Sequence, residues 1–316
     1  MVLILLEGVL DLIAGQQRKE YRGACGLTLS LILLLAAGLT LSVPAVIATP
    51  ENVLSRETLN AFGQMKSSQR ILGEFLRFLA TRESSIALSE KQSALETARF
   101  VRDISDPKIL LDIALAAQMK MSIYSGMPAS DMALWKGLYR NCTRRKSVQS
   151  NSRCQFLLTK FKCPMPRSAS PFSMRRSDIL SRQVLALKFM DSYLEQAIAL
   201  ELKYAKNKDV WYSVVVPRFD TLADIDVLAD LATGAYCKWN IFGDYQGQNN
   251  LFEFFGACVD KVTSHPRNQA LDVIGFLRCL SSGGAATSEL LDGLEAKVLG
   301  LTMSEYDKQR AARHSQ

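Results

Sequence analysis

Leu27-Thr-Leu-Ser-Leu-Ile-Leu-Leu-Leu-Ala-Ala-Gly-Leu-Thr-Leu-Ser-Val43 contains no ionisable side chain, and from Gly23 to Pro50 the only one is Cys25. A run of that length is sufficient to enter or span a bilayer, which takes about 20 largely apolar residues. Such a run satisfies its backbone in lipid only as a helix. Arg18, Lys19 and Arg22 precede it, opposed only by Glu20. Lys/Arg excess marks the cytoplasmic flank, so the segment is expected to leave its N-terminus inside and to export the rest. Two readings of it stand. Val46-Ile47-Ala48 offers small residues of the kind a signal peptidase reads after Pro44, whereas the twenty-odd residues ahead of the apolar core suit an uncleaved anchor.

Working outward, the chain divides into a cytoplasmic segment 1–22, a signal peptide or transmembrane anchor 23–49, a helical region 50–139, a basic cysteine-containing loop 140–176, a second helical region 177–301 and a polar tail 302–316. A chain of 316 residues with 48% hydrophobic and 22% charged side chains can bury an ordinary core. The composition excludes wholesale disorder.

Helical periodicity dominates after the apolar segment. Leu59, Phe62, Leu72, Phe75, Leu76 and Leu79 recur at three- and four-residue steps. Ser89-Glu90-Lys91-Gln92 reads as a capping box, and Asp106-Pro107 as a helix start. A wide apolar stripe through Leu180, Val184, Leu187, Leu194, Ile198 and Leu202 predicts a long helix from Asp178 to Lys206. Asp220 is expected to cap a helix ending at Gly234, followed by an aromatic loop from Tyr236 to Asn250 and by helices near 251–262, 268–280 and 288–299. Only Val210–Val216 reads as strand, as an extended connector or half of a small hairpin. No internal repeat is apparent, since the equal spacing of Cys237, Cys258 and Cys279 is not echoed by their neighbours. The fold class expected is therefore mainly α: a signal or transmembrane helix followed by an extracytoplasmic helical domain.

Six cysteines follow the apolar segment: Cys142, Cys154, Cys163, Cys237, Cys258 and Cys279. An even number in an exported chain predicts disulfides. They fall into two clusters of three, so full pairing requires at least one bridge between the clusters. The competing reading makes Cys258 and Cys279, both in apolar helical patterns, buried thiols.

Arg140, Arg144, Arg145, Lys146, Arg153, Lys160, Lys162, Arg167, Arg175 and Arg176 fall in one stretch without an acid, and the whole chain is formally +7. Everything else sums to a net negative charge, so the basicity is local. Interleaved with Phe156, Phe161 and Phe172, these residues are the candidate contact surface for an acidic protein or an anionic membrane or glycan surface. Export argues against nucleic acid. The duller reading is a flexible, soluble loop.

Catalytic signals are sparse. The two histidines are His265, at a helix start, and His314, in the tail, and no metal, nucleotide or hydrolase motif occurs. No cofactor or metal is expected. Asp220, Asp224, Asp226 and Asp230 are the best carboxylate set, which keeps a glycan-cleaving hydrolase as the alternative function. A cap followed by a solvated acidic face accounts for the same residues. The principal expectation is an extracytoplasmic helical interaction or scaffold component at a membrane.

Overall fold

The computed structural model describes residues 56–83, 85, 88–161, 174–204, 221–243, 248–281 and 285–314. The apolar segment 23–50, the strand-like run Val210–Val216 and Asp220 lie outside these. Among the described residues there are twelve helices and no strand, so the chain is mainly α. Among them, too, no helix is long and apolar enough to cross a membrane.

The helices are α1 (Arg56–Thr81), α2 (Glu90–Val101), α3 (Pro107–Ile123), α4 (Ala129–Thr143), α5 (Lys146–Gln149), α6 (Ser152–Lys160), α7 (Arg176–Tyr204), α8 (Ile225–Phe242), α9 (Gln248–Val262), α10 (Arg267–Leu280), α11 (Ala285–Leu299) and α12 (Met303–His314). Several starts are fixed by short-range chemistry. Ser89 and Gln92 close a reciprocal capping box on α2. Asp106 accepts from the amides of Lys108 and Ile109, with Pro107 at the first helical position of α3. Gly300 terminates α11 with φ of 70°, a conformation that glycine adopts without a Cβ penalty.

Helices α3 and α8 form the centre. Eleven of the seventeen residues of α3 and thirteen of the eighteen of α8 are buried, far more than one amphipathic stripe, so each is enclosed on most sides. Helices α1 and α7 pack across them and against each other, α4 packs on α2 and α3, and α9 packs on α8. The core is continuous through all of these, with Phe75 meeting Trp135 edge-on at 4.5 Å and Phe161 meeting Tyr236 at 5.8 Å.

Three boundaries differ from the sequence reading. The cap of α8 is Asp224, whose carboxylate accepts from the amides of Asp226 and Val227. The helix then runs through Gly234 to Phe242, which places Tyr236 and Trp239 on a helix and not in a loop. A Cβ at Gly234 would meet only the flexible end of Met190, at 3.2 Å, and the glycine lies inside the helix and does not terminate it. The polar tail also forms α12. Thr302 and Glu305 cap each other reciprocally, Tyr306 is buried, and Arg310 pairs with Asp292 on α11.

The cysteines call for a further correction. Cys142, Cys154, Cys237 and Cys258 are unbridged thiols and all four are buried, each on the core side of its helix. Burial pushes the thiols of Cys142, Cys237 and Cys258 well up, which removes the reactive thiolate. Cys163 lies outside the described residues and Cys279 is half-buried near the end of α10. Among the six, the crosslinked framework thus reduces to at most one bridge, the one that would join the two clusters. In native protein the four buried thiols should react slowly with maleimide, and protein unfolded without reductant should expose at least four thiols per chain by mass. Fewer than four would place these cysteines in bridges.

Candidate functional site

The stretch from 140 to 161 is ordered by helices. Arg145 opens α5, Asn151 caps α6 by accepting from the amide of Cys154, and Val148, Cys154, Leu157 and Phe161 are buried. Much of its charge is committed internally. Arg140 and Lys136 both bind Glu90 across the α2–α4 contact at 2.5 and 2.9 Å. Arg140 first, and Lys136 second, hold the Glu90 carboxyl down at about 2. Glu90 and Lys136 are exposed and Arg140 is half-buried, and salt screens the contact.

Arg145 Nη2 donates to the carbonyls of Arg102 at 2.9 Å and Ile104 at 3.0 Å, satisfying backbone that follows the end of α2. Arg153 and Lys160 reach Asn240 on α8, at its carbonyl and its side-chain oxygen, both at 3.0 Å. Burial depresses the Lys160 ammonium below its ordinary range. Arg176 forks onto the buried carboxylate of Asp131 and also reaches the Leu79 carbonyl. Among the described residues of this stretch, 140–161 and 174–176, helices and their caps stand where the loop reading placed a flexible segment. Charge is used here to tie α4, α6 and α7 to neighbouring helices.

Arg144, Lys146 and Arg175 are exposed, and Lys162 and Arg167 lie outside the described residues. Phe156 is 65% exposed on α6, one turn after Arg153 and so on the same helix face. A large aromatic left in water beside cations is the informative feature of this surface.

The carboxylates of the alternative reading are dispersed by the fold. Asp224 and Asp226 both clasp Arg182 of α7, at 2.7 and 2.5 Å. Asp230 faces inward, where Lys120 Nζ lies at 2.5 Å and the Tyr124 hydroxyl donates at 3.2 Å. Burial, and then the charge of Asp230, pushes the Tyr124 phenol well above its ordinary value, so it stays a donor.

Asp230 belongs to a cluster that sequence reading did not single out. Asp112 and Lys120 on α3 face Lys238 and Asp230 on α8, forming two ion pairs in which all four residues are at least nine-tenths buried. Ser68 of α1 adds a donor to Asp112. They flank an interior cavity of about 40 Å³ also lined by Gln69, Leu72, Met190 and Cys237, space for about one water. The available signal was the eight-residue step from acid to lysine on each helix, which puts both on one face. Among the described residues no cluster of His, Cys, Asp and Glu could hold a metal. Comparison with protein-family models, with curated proteins and with solved structures found no match to this chain.

Proposed function

We propose that the chain is a helical interaction or scaffold protein that presents the cationic surface of α4 to α6 to an anionic partner or surface, with residues 27–43 as its export or membrane-anchoring segment. The observation that carries the reading is Phe156, exposed on a short helix whose own backbone is pinned, with Arg153 on the same face and Arg144 and Lys146 exposed at the start of α5. An exposed ring supplies apolar contact area, and the cations supply attraction that accelerates encounter with negative charge. Arg153 also holds the Asn240 carbonyl, so it positions the face that carries Phe156, while Arg144 and Lys146 supply exposed charge that anchors no other helix.

Reversal of Arg144 and Lys146 to Glu tests the proposal cleanly, because neither anchors another helix. Arg145 is left intact, since its reversal would strip two backbone carbonyls of their donor. Sedimentation with vesicles containing phosphatidylserine, and retention on a sulfated glycan column, should both fall for Arg144→Glu/Lys146→Glu and for Phe156→Ala. Binding by the parent should weaken between 0.1 and 1 M salt, as the Debye length shrinks from about 10 Å to about 3 Å. Stability should shift by no more than about 0.5 kcal/mol, as for surface substitutions generally. Parent protein that binds neither support, or a double variant that binds both unchanged, refutes the assignment.

A further inference from the structure

The reciprocity of the two buried ion pairs sets a register for the whole fold. Asp112 pairs with Lys238 and Lys120 with Asp230, so α3 and α8 run antiparallel with an acid and a lysine at matching places. Matching them sets an offset of 118 residues, and at that offset the caps Asp106 and Asp224 also coincide. From 106–124 to 224–242, seven of nineteen residues are identical, among them both acids and the lysine of each helix.

The same offset aligns α1 with α7. Each of the eight described buried residues of α7, from Ile179 to Ala197, has a buried counterpart 118 places earlier, with Phe62, Leu72 and Phe75 standing for Leu180, Met190 and Tyr193. The contacts correspond as well. Gln64 of α1 donates to the cap Asp106 at 2.5 Å, and its counterpart Arg182 binds the cap Asp224 at 2.7 Å. Two residues added before α9 carry the match onward at 120, pairing Leu134, Trp135, Leu138 and Cys142 with Phe254, Phe255, Cys258 and Val262, all buried.

Helical periodicity alone would align buried faces at many offsets. It would not also align two caps, their clasps and an acid–lysine pair. The interior cavity adds a test of a different kind, because twelve of its fifteen lining residues fall into six counterpart pairs. A second, open groove of about 610 Å³ between α1 and α7 behaves alike, ten of its twelve lining residues forming five such pairs, including Arg70 with Lys188. Volume is conserved between the halves too. Met190 faces Gly234, and the same two positions in the other half hold the shorter Leu72 and the larger Ala116.

We infer that the set α1, α3 and α4 and the set α7, α8 and α9 are two copies of one helical unit, packed about a two-fold axis through the Asp112, Lys120, Asp230 and Lys238 cluster, and that the inner face of each unit is shaped to receive a second copy of itself. Such an isologous face is self-complementary, each acid meeting the other copy's lysine. Helices α11 and α12 are an addition to the second copy.

A half-turn exchange of the cavity wall tests this in the full chain. Gln69→Leu, Leu72→Met, Ala116→Gly and Met119→Cys are combined with Leu187→Gln, Met190→Leu, Gly234→Ala and Cys237→Met. About a two-fold axis this eight-residue exchange only rotates the lining, so unfolding should stay cooperative with a midpoint within about 5 °C of the parent. The first four substitutions alone duplicate one wall and delete the other, and should lower the midpoint by on the order of 10 °C. An eight-residue variant that unfolds, or that falls as far as the one-sided variant, overturns the inference.

Discussion

Lys238→Ala is expected to destabilise the chain by about 3–5 kcal/mol, the range seen when one member of a buried ion pair is removed. Asp112 is 2% exposed and would keep its charge with only the Ser68 hydroxyl as a donor beside it. The ammonium that offsets its desolvation would be gone. Urea unfolding monitored by circular dichroism measures the loss as a shift in midpoint at constant slope. Replacing the pair as Asp112→Leu/Lys238→Met should recover most of it, because the charge to be desolvated is removed together with its partner. Ser68 then keeps the Met65 carbonyl as acceptor at 2.8 Å. A cost below about 1 kcal/mol for Lys238→Ala would mean that water reaches Asp112 and that the ion pairs are not shielded from solvent by burial.

Gly137→Ala is expected to cost about 1–3 kcal/mol in spite of the gain of about 1 kcal/mol that Ala normally brings to a helix interior. A Cβ at 137 would sit 2.8 Å from the Ser93 carbonyl oxygen and 2.9 Å from Thr97 Oγ1. The obstruction is α2 backbone, which cannot swing aside as a side-chain end can. The same interface is held by Asn141, whose amide donates to Ala94 O and Thr97 Oγ1, so pushing α2 away breaks those bonds as well. Hydrogen exchange should therefore quicken selectively in α2. Gly234→Ala is the contrast, since its methyl meets only the mobile end of Met190 at 3.2 Å, and it should be close to neutral. Equal effects at both glycines would contradict the distinction between backbone and side-chain contacts.

Much of the candidate surface was legible as composition, because ten cations without an acid is a local property of the chain. Which of those cations are available was not legible. Arg145, Arg153, Lys160 and Arg176 find their acceptors 41 to 97 positions away in sequence, and no pattern within the stretch distinguishes them from Arg144 and Lys146. The aspartates show the same limit. Asp224 and Asp226 read as one acidic face with Asp230, yet the helix turns the first two to Arg182 and the third into the core.

By itself the sequence determined the helical class, the caps at Ser89 and Asp106 and the existence of a chargeless segment before residue 50. These are set by interactions within a few residues, so spacing suffices to read them. The tertiary structure decided that four cysteines pack as thiols, that Gly234 lies inside a helix, that the tail docks as α12, and that the chain runs twice through one helical pattern. The last depends on partners 110 and 126 residues apart, Lys120 with Asp230 and Asp112 with Lys238. A helical repeat conserves burial and charge pairing more strictly than residue identity, since many apolar side chains fill a buried position but a buried ammonium needs a counter-charge or a set of acceptors beside it.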